Sequence, residues 1–67
     1  MTLQFKTNIN CANCVRTVGV FLNDETAIQK WEVDTANPNK VLTVETKESP
    51  EFVIEVVEDA GFDIATL

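Results

Sequence analysis

The chain has 67 residues, a mass of 7.5 kDa and a formal net charge of -6, from 5 basic and 11 acidic side chains. This length allows one domain, residues 1–67, and excludes a large enzyme cleft closed by a second lobe. Hydrophobic residues make up 45% of the sequence, which is enough for one small core, so disorder is not expected.

The basic side chains are scattered along the chain, at Lys6, Arg16, Lys30, Lys40 and Lys47. Binding to nucleic acid needs a basic surface that displaces counterions, so we expect no nucleic-acid partner. The longest nearly apolar run, Val18 to Leu22, is far too short to span a bilayer, and we expect no membrane insertion. No secretory signal pattern follows Met1, so a cytoplasmic location is expected.

The first part of the chain predicts a strand followed by a helix. Polar residues alternate with Leu3, Phe5, Thr7 and Ile9, as in a half-buried strand. A loop is then expected over residues 10–13, and a helix that begins near Cys14 with Asn13 as its N-cap. The apolar stripe of this helix is Val15, Val18 and Leu22. We interpret Gly19 as a place where another element approaches the helix closely.

The middle of the chain predicts a β-hairpin. Ile28, Trp31 and Val33 indicate a second strand, with the latter two on its inner face. The segment Asn37-Pro38-Asn39 is typical of a turn. Leu42 and Val44 then alternate with polar residues as a third strand.

The last part of the chain predicts a second helix and a fourth strand. Ser49-Pro50-Glu51 combines an N-cap, a proline at the first helical position and an acid in the first turn. Gly61 is expected to end this helix, and residues 62–67 to form a short strand. The buried stripe of the helix is predicted to be Val53, Val56, Val57 and Ala60.

The predicted order is therefore β-α-β-β-α-β. This order builds an α+β, ferredoxin-like fold, an antiparallel four-stranded sheet with both helices on one face.

The two cysteines, Cys11 and Cys14, carry the candidate chemistry, because the chain has no histidine. Catalysis that needs histidine is excluded, and we expect no enzymatic activity. Cys11 falls after a strand and Cys14 at a helix start, where free backbone N–H groups and the helix dipole stabilise a thiolate. Structural Zn²⁺ takes four ligands, whereas Cu(I) is soft and prefers thiolates. Two sulfurs in an exposed loop therefore favour Cu(I).

The element order, the Asn10-Cys11-Ala12-Asn13-Cys14 segment after the first strand, and the Ala60-Gly61-Phe62 turn resemble the heavy-metal-associated domains. These include small copper chaperones and the metal-binding modules of P-type metal-transporting ATPases. The resemblance covers the whole chain. It implies that Cys11 and Cys14 are the metal ligands and that Cu(I) is carried to an ATPase or another thiol-bearing acceptor. It also places Phe62 beside the metal loop.

The resemblance also marks departures from the family pattern. Asn8 and Ile9 stand where the family usually has Gly and Met, and that Met anchors the loop in the core. Asn10 stands where zinc-type members often have an aspartate that supplies an oxygen ligand.

Three other functions stay open from the sequence. A Zn(II) or Cd(II) binder would take an oxygen from Asp63 or sulfurs from a second copy, which would make a metal-bridged dimer of an otherwise monomeric protein. A dithiol redox module would use the same C-x-x-C pair. A degenerate domain would use the fold for protein contacts alone.

Overall fold

The computed structural model describes all residues, 1–67. Six elements follow one another in the order predicted from the sequence. They are β1 (Thr2–Thr7), α1 (Ala12–Asn23), β2 (Ile28–Asp34), β3 (Val41–Thr46), α2 (Pro50–Asp59) and β4 (Ile64–Thr66). Neither helix has the length and hydrophobicity that crossing a bilayer requires.

The four strands form one antiparallel sheet in the order β2-β3-β1-β4, which confirms the ferredoxin-like fold class. Alternation along β1 decides its faces, since Phe5 and Thr7 are buried while Gln4 and Lys6 are exposed. The predicted hairpin is confirmed by the pairing of β2 with β3. An irregularity in register after Ile28 lets this residue and Trp31 share the inner face despite their odd spacing.

The core lies between the inner face of the sheet and the two helices. Ile9 belongs to it although β1 ends at Thr7, and its side chain is 0% exposed. The segment before the cysteines is therefore anchored by apolar burial, the role that the resemblance assigns to a methionine. The buried cluster consists of Phe5, Ile9, Val18, Leu22, Ile28, Leu42, Val44, Val53, Val56 and Val57.

The start of α1 differs from the prediction. The helix begins at Ala12 with Cys11 as its N-cap, and not near Cys14 with Asn13 as the cap. Cys11 has an extended backbone, with φ -144° and ψ 165°, and its sulfur accepts the backbone N–H of Cys14. Cysteine is not among the usual N-cap residues, whereas asparagine is, so the capping preference pointed to Asn13.

Gly19 does admit a close neighbour, as predicted. A Cβ at this position would lie 3.0 Å from Cζ2 of Trp31 and 3.1 Å from its Cη2. The indole Nε1 donates to Oδ1 of Asn23 at 2.8 Å, which ties the ring to the end of α1. The half-buried side chain of Trp31 thus packs between β2 and α1.

The second helix begins and ends where the sequence predicts. Ser49 is its N-cap and Pro50 its first residue, although the Ser49 side chain makes no capping hydrogen bond. Gly61 has a φ of +96°, and the N–H groups of Gly61 and Phe62 donate to Glu58 and Val57, a Schellman motif. Because Phe62 belongs to this motif, β4 is shorter than predicted and begins at Ile64.

Candidate metal site

The two cysteines meet at the start of α1. Their Sγ atoms are 2.8 Å apart, both thiols are free, and the backbone N–H of Cys14 lies 3.3 Å from Sγ of Cys11. Cys11 is exposed and Cys14 half-buried, so another molecule can reach Cys11 from solvent. The two sulfurs thus form a candidate site for one thiophilic ion at the surface of the molecule.

The mutual contact makes the two thiols unequal. The hydrogen bond with the Cys14 side chain, helped by the Cys14 backbone N–H, lowers the pKa of Cys11 below its ordinary value. The same side-chain hydrogen bond, with desolvation and the charge of Cys11 adding to it, raises the pKa of Cys14. The pair therefore loses its first proton from Cys11, and this thiolate lies at the N-terminus of α1, where free N–H groups stabilise negative charge.

A buried threonine holds the chain just before the loop. The hydroxyl of Thr7 donates to the carbonyl oxygen of Lys40 at 2.6 Å and accepts the Ile9 N–H at 3.1 Å. The backbone N–H of Thr7 donates to the Asn39 carbonyl at 3.0 Å. The end of β1 is thereby tied to the segment that precedes β3, and the path of the chain toward Cys11 is fixed on both sides of Asn8.

No third metal ligand joins the pair within the chain. No group of three or more Cys, Asp, Glu or His side chains could hold one ion. Asp63, the oxygen ligand considered for zinc, accepts a hydrogen bond from Nδ2 of Asn8 at 3.4 Å and forms no group with the two cysteines in this structure. Asn10 does lie near the site, with its Oδ1 3.9 Å from Sγ of Cys14.

The other residues named from the sequence lie outside the sulfur pair. Arg16 is exposed, and the thiol pKa shifts come from the contact between the cysteines, adjacent backbone groups and desolvation. Phe62 is half-buried against the core. The acidic residues of α2 and its end are all exposed, as on a solvated helix face: Glu51, Glu55, Glu58 and Asp59.

Two residues far apart in the sequence form a polar contact that was not predicted. The backbone N–H of Asp63 donates to Oδ1 of Asn8 at 2.9 Å, and the Asn8 N–H donates to the Asp63 carbonyl at 3.3 Å. Asn8 directly follows β1 and Asp63 directly precedes β4, two strands that pair in this fold. The predicted topology could have revealed this contact, because antiparallel pairing of β1 with β4 brings these two positions opposite each other.

Solved structures with the same fold include several metal-binding domains, although no protein-family model and no curated protein matches the sequence. The first domain of the human copper chaperone for SOD1, in its copper(I)-loaded form, is 25% identical, with a TM-score of 0.84 over 97% of this chain and 89% of that one. A copper-binding domain from HMA7, a P-type ATPase, is 24% identical, with a TM-score of 0.85 over 98% and 92%.

A zinc protein has the fold as well. The N-terminal domain of ZntA in its Zn(II) form is 18% identical, with a TM-score of 0.79 over 97% of this chain and 89% of that one. The fold is thus shared by domains solved with either metal. The likeness in both element order and three-dimensional structure confirms the resemblance found in the sequence: the chain has the fold of the heavy-metal-associated domains.

Proposed function

We propose that the protein binds one Cu(I) ion between Cys11 and Cys14 and passes it to a thiol-bearing acceptor. The observation that carries this proposal is the pair of sulfurs, one exposed and one half-buried, 2.8 Å apart, with no third Cys, Asp, Glu or His ligand from the same chain. Cu(I) prefers thiolates, whereas a closed zinc site usually takes four ligands. The copper proteins of the same fold support this choice, and so does Asn10 in place of an acidic residue.

Binding begins with loss of the thiol protons, since thiolates are the metal ligands. The lowered pKa of Cys11 favours its thiolate, the form that binds metal. An ion placed between the two sulfurs needs more room than their metal-free contact leaves. The two side chains therefore move apart from their 2.8 Å contact as the ion enters between them.

Release proceeds by exchange of ligands. A thiol of the acceptor loses its proton to solvent, and its sulfur forms a third bond to the ion. The bond to one original cysteine then breaks, and that thiolate takes up a proton. A second acceptor thiolate displaces the other cysteine in the same way. Copper stays Cu(I) throughout, and no electron is transferred.

We assign the first departure to Cys11. Its sulfur is exposed and precedes the helix, whereas Cys14 is half-buried within the first turn of α1. The expected result is that Cys11→Ser blocks transfer more strongly than Cys14→Ser does. Equal effects of the two substitutions on the transfer rate would show that this order is wrong.

The acceptor that fits this chemistry is a metal-transporting P-type ATPase or another protein with accessible thiols. The carrier acts in the cytoplasm, where reducing conditions keep its thiols free. It makes and breaks no bond within a substrate molecule and is not an enzyme.

An anaerobic competition experiment tests the proposal. The reduced protein is titrated with Cu(I) in the presence of excess Zn²⁺, the bound metals are counted by native mass spectrometry, and the Cu(I)-loaded protein is mixed with a dithiol acceptor. We expect one Cu(I) per chain, no displacement by Zn²⁺, and transfer to the acceptor. Zinc retained against a chelator, with one ion for two chains, would instead support the metal-bridged dimer. Turnover in a disulfide-reduction assay would support the redox module.

A further inference from the structure

The contact between Asn8 and Asp63, here called the latch, joins the two loops at one end of the sheet. It consists of three hydrogen bonds. Asp63 N–H donates to Oδ1 of Asn8 at 2.9 Å, Nδ2 of Asn8 donates to Oδ2 of Asp63 at 3.4 Å, and Asn8 N–H donates to the Asp63 carbonyl at 3.3 Å. The Oδ1 and Nδ2 atoms of Asn8 thus both bond to Asp63.

The latch extends the sheet toward the cysteines. The regular pairing of β1 with β4 ends at Thr7 and Ile64, and Asn8 and Asp63 occupy the next step of the ladder. An asparagine side chain supplies part of the bonding there. A glycine, the residue that the heavy-metal-associated pattern usually has at this position, has no side chain that could do so.

Little freedom remains between the latch and the first sulfur. Ile9 follows Asn8, its side chain is 0% exposed, and its N–H donates to the Thr7 hydroxyl. One residue, Asn10, then separates this anchored segment from Cys11. Because consecutive Cα atoms are about 3.8 Å apart, the Cys11 Cα lies within about 11 Å of the Asn8 Cα.

We infer that Asn8 and Asp63 are positioning residues, and that their latch holds the backbone that leads into Cys11 in place and thereby slows release of the bound ion. This inference rests on the proposed function. Binding costs less when a site is preorganised, because fewer conformations are lost on ligation. Loss of the latch should therefore act on the metal site more than on the stability of the fold, whose core it does not touch.

Isosteric substitutions can break and restore the latch. Asn8→Asp replaces the donor by a carboxylate, which then faces the Asp63 carboxylate and repels it. Asp63→Asn added to this variant reverses donor and acceptor and restores an amide–carboxylate pair. Asn8→Gly removes the side chain without adding charge. Gln29→Glu is the matched charge control, since Gln29 is exposed on β2, at the sheet edge opposite β4.

The first measurement needs no metal. Exchange of the Asp63 amide hydrogen is followed by NMR, because this N–H donates to the Asn8 side chain. We expect exchange to become about three- to tenfold faster in Asn8→Gly, which removes the acceptor of this N–H, as for the loss of one net hydrogen bond. Asn8→Asp keeps an oxygen that can accept the same N–H, so this variant is tested by release of Cu(I) instead. The double variant and Gln29→Glu should exchange as the wild type does.

The second measurement is the rate at which a chromogenic chelator removes Cu(I) under anaerobic conditions. We expect release about three- to tenfold faster in Asn8→Asp and Asn8→Gly, with wild-type rates in the double variant and the control. The added negative charge of Asn8→Asp would by itself hold a cation more tightly, so faster release reports the latch and not the charge.

The outcomes separate the two proposals. Faster amide exchange with unchanged Cu(I) release, or a double variant that stays as fast as Asn8→Asp, would overturn the positioning role while the metal site stands. Failure of the wild type to bind Cu(I) would instead overturn the proposed function and the inference with it. Thermal unfolding of each variant checks that release is altered beyond any change in stability.

Discussion

The two helices occupy equivalent places in the two β-α-β halves, yet their starts are built differently. α2 follows Ser49 and begins with Pro50 and Glu51, features that favour helix formation. α1 has no acidic residue in its first turn, and its cap is the sulfur of Cys11. The positive end of the α1 dipole thus lies beside two thiols. The N-cap is a cysteine, a residue type that seldom caps a helix. This difference agrees with the proposal that the first start binds metal, whereas the second start favours helix formation.

The C-terminal ends of the two helices also differ. α2 ends in a Schellman motif at Gly61, while α1 ends at Asp24 in ordinary right-handed conformation. α1 is held at its end by the Trp31 indole on Asn23 and by the close packing of that ring on Gly19. Tertiary contacts with β2 therefore support the helix that carries the cysteines.

Cys11→Ser should separate chemistry from stability most clearly. Removing a ligand should weaken Cu(I) binding by more than about 100-fold, because changes in groups that only support a ligand already cost about 10–100-fold. Serine is a preferred N-cap, so the free energy of unfolding of the metal-free protein should be unchanged or higher by up to about 0.5 kcal/mol. Anaerobic Cu(I) titration and urea unfolding measure the two quantities. A stability loss above about 1 kcal/mol would show that the sulfur cap is structural.

Gly61→Ala should destabilise the end of α2. Its φ of +96° is costly for a residue with a Cβ, although no atom lies within 4 Å of that Cβ. We expect a loss of about 1–2 kcal/mol from conformation alone, measured by urea unfolding. Gly61→Asn is the control, since asparagine tolerates this region better, and it should lose less. An alanine variant as stable as the wild type would contradict the role given to Gly61.

The two thiols should react at different rates. The pKa of Cys11 is lowered and that of Cys14 raised, so Cys11 ionises first as the pH increases. Because the thiolate is the reactive form, iodoacetamide at neutral pH should modify Cys11 several-fold faster in the metal-free protein. The difference should shrink as the pH rises above the range in which both thiols ionise. Peptide mapping by mass spectrometry gives both rates, and equal rates at neutral pH would refute the asymmetry.

Ser49→Ala should have the smallest effect. The Ser49 side chain makes no capping hydrogen bond, so the usual cost of about 1 kcal/mol for removing a cap does not apply. We expect a change below about 0.5 kcal/mol in urea unfolding, since Pro50 and Glu51 remain. A full loss of about 1 kcal/mol would mean that the hydroxyl does cap α2 in solution.

The sequence predicted the parts of the fold that depend on local periodicity and turn chemistry. The strand alternation around Phe5, the glycine at the end of α2 and the close approach at Gly19 are confirmed. The start of α1 was placed too late because capping preferences describe oxygen side chains, and here a sulfur accepts the bond. The bond between Asn8 and Asp63 was not predicted, because local patterns describe neighbours along the chain and only the pairing of β1 with β4 brings these two residues opposite each other.

The candidate site was predictable only in part. The spacing of Cys11 and Cys14 indicated two sulfurs at a helix start, and the structure brings them to 2.8 Å. The possibility of an oxygen ligand from Asp63 depended on a distance that the sequence does not contain. Asn8 engages that carboxylate, and no third ligand joins the sulfurs.

X-ray absorption spectroscopy of the Cu(I)-loaded protein examines the coordination of the ion itself. The sample is prepared anaerobically at one Cu(I) per chain and checked by native mass spectrometry. We predict an absorption edge typical of Cu(I) and a first shell of two sulfur atoms, with no nitrogen or oxygen neighbours. A shell of four sulfurs from two chains, or one that includes oxygen, would contradict binding by Cys11 and Cys14 alone.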